Sequence, residues 1–167
     1  MVYKKKMEMK SLINRILVPV DGSEHADRAL DYALDLAEKY DATIKILNVV
    51  DTPAMARYAA TPTLTGATAP VAIPVWVSTY AKESKAKSEK MLSETLEKAK
   101  KIKPDLKIST KLVEGRPADQ IVETAKEGNF DIIVMGSRGL GGIKEFLLGS
   151  VSDRVSEDAK CPVLIVK

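Results

Sequence analysis

The sequence predicts an α/β fold: a single open, parallel five-stranded sheet in the order 3-2-1-4-5, with helices on both faces. Three observations carry this. Short apolar runs alternate with helical periodicities along the chain, and strands joined through helices imply crossover units and a parallel sheet. "RILVPV" (15–20) and "DIIVM" (131–135) are apolar with no clear alternation, as expected of strands buried on both faces. "LKISTKLV" (106–113) alternates strictly, with Leu106, Ile108, Thr110 and Leu112 on one side and Lys107, Ser109 and Lys111 on the other. The first and fourth strands therefore take the centre, and the third lies near an edge.

The remaining elements follow in order. "SEHADRALDYALDLAEKY" (23–40) repeats Ala26, Leu30, Ala33, Leu34 and Ala37 at helical spacing. Ser23 suits the N-cap, and Glu24 complements the positive helix end. "ATIKILNVV" (42–50) is the second strand. A long helix is predicted over 81–102, with a stripe of Ser88, Met91, Leu92, Thr95, Leu96 and Ala99, and Pro104 stops it. "PADQIVETAKE" (117–127) is a helix with Pro117 at its first position and Gly128 just past its end. A fourth helix covers 149–158, and "PVLIVK" (162–167) closes the sheet.

At 167 residues the chain reads as one domain, 1–167, with a polar N-terminal arm (1–13) and a long variable loop (52–77). That loop exits on the same rim as the segments following strands 1 and 4. A connection so long without helix or strand is usually a lid, a binding loop or disordered, and Val71, Ile73, Val75 and Trp76 give it apolar weight with which to dock. From Tyr58 to Ala81 no residue is charged, yet Pro62, Pro70, Pro74 and five threonines exclude a spanning apolar helix.

The basic start runs into "SLINRILVPV", interrupted at Arg15, which is no secretory signal, so a cytoplasmic protein is expected. Twenty-six basic against 23 acidic residues, a net charge of +3, is too balanced for a nucleic-acid binder. Lys4–Lys6 reads as a solvated run. Cys161 is the single cysteine, so no internal disulfide forms, and packing beside the last strand is expected of it. The single histidine, His25, reads as a surface residue, and no cysteine–histidine cluster suggests zinc.

In open sheets of this kind ligands settle outside the carboxyl ends of the strands, where the strand order reverses. The segments meeting there are "PVDGS" after strand 1 and "MGSRGLGG" after strand 4. Five of the nine glycines fall within 135–150. The loop is not a P-loop, because Ile143 follows Gly142 where lysine is required. It is not a dinucleotide fingerprint either, because Lys144 stands where a third glycine belongs. A different spacing fits: Gly136-x-x-Gly139, nine residues, then Gly149-Ser150. Gly136 and Gly139 let the main chain turn and present N–H groups, a concavity suited to anions. Gly149 and Ser150 open the next helix, whose unpaired N–H groups and dipole favour phosphate; Ser150 can cap it and donate its hydroxyl. The intervening "LGGIKEFLL" would fold back so that both halves grip one phosphate chain. Arg138 and Lys144 can neutralise phosphate charge, though exposed loops often carry such residues.

This spacing, after "IIVMG" and before "SVSDRVSEDAKCPVLIVK", closely resembles the universal stress protein family and, with its glycines complete, the ATP-binding branch of it. The resemblance runs from "RILVPVDGSEHADRAL" through "LVEGRPADQIVETA" to the C-terminus. It implies a Rossmann-like adenine nucleotide fold and assigns residues accordingly. Pro19, Val20 and Asp21 would line the nucleoside pocket, Asp21 reaching the ribose or a metal-bound phosphate. Val49 would meet adenine through its backbone. Met135 and Gly136 would contact the nucleoside, while Gly139, Gly149, Ser150 and Val151 would hold phosphates. ATP, or AMP or ADP in its place, would bring magnesium or manganese bound through phosphate oxygens. Residues 162–167, apolar on both faces at a sheet edge, would pair with a second copy, since exposed apolar edges invite strand addition.

Two functions follow: a nucleotide-dependent regulatory protein, or an enzyme. The Ser-Gly-Gly-x-Asp-Ser and His-x-Gly-His signatures of adenylate-forming and pyrophosphate-releasing relatives are absent, "VPVDGSEHA" standing in their place. Hydrolysis needs a group that orients water, and Asp21 and Ser150 are the only nearby candidates. Efficient catalysis is not expected; slow ATP hydrolysis and an unidentified protein partner remain open.

Overall fold

The computed structural model describes residues 11–51, 75–140 and 148–167. The elements are β1 (Arg15–Pro19), α1 (Glu24–Tyr40), β2 (Thr43–Asp51), α2 (Val75–Ile102), β3 (Ile108–Gly115), α3 (Pro117–Glu127), β4 (Ile132–Gly136), α4 (Ser150–Asp158) and β5 (Val163–Val166). They build a five-stranded sheet in the order β3-β2-β1-β4-β5, with every pairing parallel.

Both faces of the sheet are covered. Ile16 and Val18 of β1 pack with Ile44, Ile46 and Val134 under α1 and α2. Leu17 and Leu47 pack with Ile133, Ile121 and Val155 under α3 and α4. Ile16, Leu17 and Val18 are wholly buried, which explains why β1 is apolar at every interior position. Each such side chain contributes about 1.5–3 kcal/mol through burial. All five residues of the α1 stripe are buried, and Ser23 caps the helix by accepting the Ala26 N–H at 3.2 Å.

The structure differs from the sequence expectation at several boundaries. α2 begins at Val75 rather than at 81. Val75, Trp76, Val77, Thr79 and Tyr80 are β-branched or aromatic and read as non-helical, but extending an already nucleated helix costs only a few tenths of a kcal/mol per residue. The rest of the proposed long loop, 52–74, lies outside the described residues, as do most of the N-terminal arm and Lys144 with the fold-back segment 141–147. β3 runs two residues later than its alternation suggested, because its register with β2 extends to Asp51↔Gly115. Gly128 closes α3 with a right-handed φ of −81°, and the left-handed residue is Asn129 at φ 46°. Gly128 is bare for another reason: an added Cβ would stand 2.2 Å from the Phe130 ring. Ser150 does not cap α4, since Gly149 is the N-cap and no side-chain cap bond forms there.

The step at the carboxyl end of the sheet creates the site. β1 pairs with β2 only as far as Pro19↔Leu47, and β2 continues beside β3 through Asn48–Asp51. That leaves a crevice above β1, between the projecting end of β2 and the exit of β4.

Candidate nucleotide-binding site

The β1 exit is a tight turn. Gly22 sits at φ 83°, a region that favours glycine, and Asp21 Oδ1 accepts the Ser23 N–H at 3.0 Å. Val20 N–H donates to the Leu47 carbonyl at 2.8 Å, and Asn48 Nδ2 donates to the Val20 carbonyl at 2.7 Å. In a parallel strand the N–H and C=O of one residue point the same way, and successive residues alternate. Leu47 faces β1, so Val49, two residues further, turns its N–H and C=O to that same side beyond the end of β1.

The β4 exit is held as tightly. Gly136 lies against the first turn of α1, where an added Cβ would approach the His25 carbonyl carbon to 2.7 Å. His25 is thus half-buried rather than a surface residue, and its backbone accounts for the first loop glycine. Ser137 is 98 % buried, its residual exposure being 2 %. Its N–H donates to Val166 O at 2.7 Å, and its carbonyl accepts both Gly149 N–H and Ser152 Oγ at 2.8 Å. Ser137 and Ser152 therefore pin the two ends of the glycine loop together, a pair that no sequence spacing singled out.

Accounting for the amides sharpens the anion site. Ser137 and Gly149 N–H groups are engaged with backbone carbonyls, and Leu140 N–H donates to Asp21 Oδ2 at 3.1 Å. The first bond within α4 runs from Asp153 N–H to Gly149 O. Ser150, Val151 and Ser152 therefore present the orphan N–H groups of a helix N-terminus, with the positive end of its dipole.

One cavity of about 740 Å³ gathers these parts, within the range of small-molecule sites. The β1 exit brings Pro19, Val20 and Asp21 to it. The end of β2 brings Val49, the β4 exit brings Met135, Gly136, Arg138 and Gly139, and the start of α4 brings Gly149, Ser150 and Val151. These eleven residues singled out from the sequence thus line the same space, while Lys144 lies outside the described residues.

The cavity also has walls the motif did not reveal. Leu47, Ile121 and Pro117 join Val49, Met135 and Val151 to line it with apolar side chains suited to a flat ring. Pro117 marked the start of α3 in the sequence, but nothing in the local pattern says that the first turns of this helix border a crevice. Asp51 and Asp153 add carboxylates, so Asp21 is one of three on the lining. Anion affinity here must come from amides, the α4 dipole and Arg138. Far from the cavity, Cys161 is half-buried, and burial raises its thiol pKa, with the nearby Asp131 charge adding to the rise.

Strand order, reversal point and crevice define an open, doubly wound α/β protein whose cavity lies at the topological switch, where ligands of such sheets settle. Residues 13–167 match the model of the Universal stress protein family, and the chain belongs to that family. Universal stress protein YxiE of Bacillus subtilis is 38% identical over 157 residues, spanning 93% of this chain and 100% of its own. Among solved structures, Universal stress protein UspA from Lactobacillus plantarum superposes with a TM-score of 0.76 at 25% identity, covering 93% of this chain and 98% of that one. A universal stress protein in complex with cAMP superposes with a TM-score of 0.66 at 28% identity, covering 94% and 99%.

Proposed function

We propose that this protein binds an adenine nucleotide in the crevice and acts as a nucleotide-dependent regulatory protein of the stress response, with ATP as the ligand. The observation that carries the reading is the convergence of three strand ends and the α4 N-terminus on one cavity. The apolar wall suits adenine, with the outward-turned backbone of Val49 placed to hydrogen-bond its edge. The free N–H groups at Ser150–Ser152 suit phosphate oxygens. Arg138 would add charge, and Asp21 would meet ribose or a cation.

Among the described residues no three carboxylate, imidazole or thiol groups gather into a cation site. In this reading magnesium or manganese is bound through the phosphate oxygens. A second reading, a monophosphate ligand such as AMP, draws support from the relative solved with cAMP and from the engagement of the Ser137, Leu140 and Gly149 amides. Asp21 already accepts two N–H groups, which favours binding and at most slow hydrolysis over rapid turnover. Among the described residues no helix is long and apolar enough to cross a membrane. A cytoplasmic location and a homodimer formed through β5 belong to the same proposal.

Denaturing the purified protein and identifying released nucleotide by chromatography and mass, followed by titration with ATP, AMP and cAMP, tests this. ATP release or tight ATP binding is expected. AMP alone would select the monophosphate reading, and a protein that binds none of them refutes the proposal.

A further inference from the structure

We infer that Asp21 is a positioning residue for the glycine loop, and that residue 139 is glycine to make room for the Asp21 carboxylate. Two contacts meet at one oxygen. Asp21 Oδ2 accepts the Leu140 N–H at 3.1 Å, across 119 residues of sequence. A Cβ added to Gly139 would stand 2.4 Å from that same Oδ2, a distance no side chain tolerates.

Among the described residues nothing else demands glycine there. Among the described residues, the Asp21 carboxylate supplies the only neighbouring atoms within 4 Å of the added Cβ, Oδ2 and, at 3.6 Å, Cγ. Residue 139 is exposed, and Gly22 and Gly115 are the glycines among the described residues with positive φ. Among the described residues, then, Asp21 alone excludes alanine, and backbone strain does not. Asp21 cannot swing aside freely, since its other oxygen holds the Ser23 N–H at 3.0 Å. Ser23 reinforces the junction by donating from Oγ to the Arg138 carbonyl at 3.4 Å. The β1 turn thus grips Arg138–Leu140 directly, from an aspartate more than a hundred residues away.

Gly149 supplies a contrast. A Cβ there would meet its nearest neighbour, Arg138 Cα, at 3.4 Å, an ordinary contact, so the fold accepts alanine at 149. A loss of binding in Gly149→Ala would come from the ligand side of the loop. A loss in Gly139→Ala would come through Asp21.

The consequence for affinity rests on the nucleotide reading; the loop geometry does not, and the two are tested separately. In the nucleotide-free protein, hydrogen exchange of the Leu140 amide should accelerate about tenfold or more in Asp21→Ala, because the charge-assisted hydrogen bond that holds this amide is lost. Gly139→Ala should accelerate it as well. Asp21→Asn preserves shape but offers a single acceptor, so either the Ser23 or the Leu140 amide should exchange faster. It serves as the informative variant if Asp21→Ala fails to fold.

ATP titration of the same set should show Gly139→Ala weakening binding about tenfold or more in the wild-type background and less than about twofold beside Asp21→Ala, a non-additive pair. Gly149→Ala should weaken binding equally in both backgrounds. Unchanged Leu140 exchange in Asp21→Ala and Asp21→Asn overturns the inference whether or not ATP binds. So does a Gly139→Ala penalty that persists in full once Asp21 is removed.

Discussion

Asn48 holds the end of β1 in place. Its Nδ2 ties down the Val20 carbonyl, while its Oδ1 is buried with no hydrogen-bond partner among the described residues. Burying an unpaired acceptor has a cost, so the amide is retained for what its other end does at the crevice. Asn48→Ala should lower unfolding free energy by about 1–3 kcal/mol in urea titrations, because Val20 O loses its donor inside the fold. Asn48→Asp should lose more at neutral pH, where a carboxylate would face that carbonyl. It should recover on acidification, once a protonated carboxyl can donate. Equal stability of all three proteins at pH 7 would remove Asn48 from this role.

Between elements, α3 shows how one residue sets a joint. Gly128 lets the chain pass the Phe130 ring, and Phe130 in turn sits under the Arg15 guanidinium, 5.1 Å from its ring centroid. The turn thus links the end of α3 to the start of β1. Gly128→Ala should destabilise by about 1–3 kcal/mol through overpacking, visible as a lower urea midpoint with unchanged slope. A wild-type midpoint would mean the ring moves aside freely.

Much at this scale was legible beforehand. The α1 stripe, the Ser23 cap and the apolar central strands follow from periodicity and capping chemistry, both local properties of the chain. The start of α2 was not legible. Val75–Tyr80 has little intrinsic helix preference, and its state is decided by the helix it joins. Nor was the cap of α4, where the Gly149 N–H and the Ser152 hydroxyl both turn to Ser137.

For the whole molecule, the open question is the β5 edge. Val163, Leu164 and Ile165 are half-buried, and among the described residues β5 pairs on one side only, with β4. An apolar strand with an unpaired edge is a template for another strand, and a second copy of β5 is the partner proposed here. Sedimentation equilibrium at micromolar concentration should show a dimer, and Ile165→Lys should convert it to a monomer that still unfolds cooperatively. A wild-type monomer would end the proposal.

The sequence by itself determined the architecture and the address of the site, because hydrophobic period and glycine spacing are properties of the chain that survive without its partners. It placed the residues of three strand ends and one helix start near a common crevice through topology alone. What those residues touch was decided only by the tertiary structure. Gly136 answers to His25, Gly139 to Asp21 and Ser137 to Ser152, and each contact depends on ångström-scale packing between segments that no local rule relates.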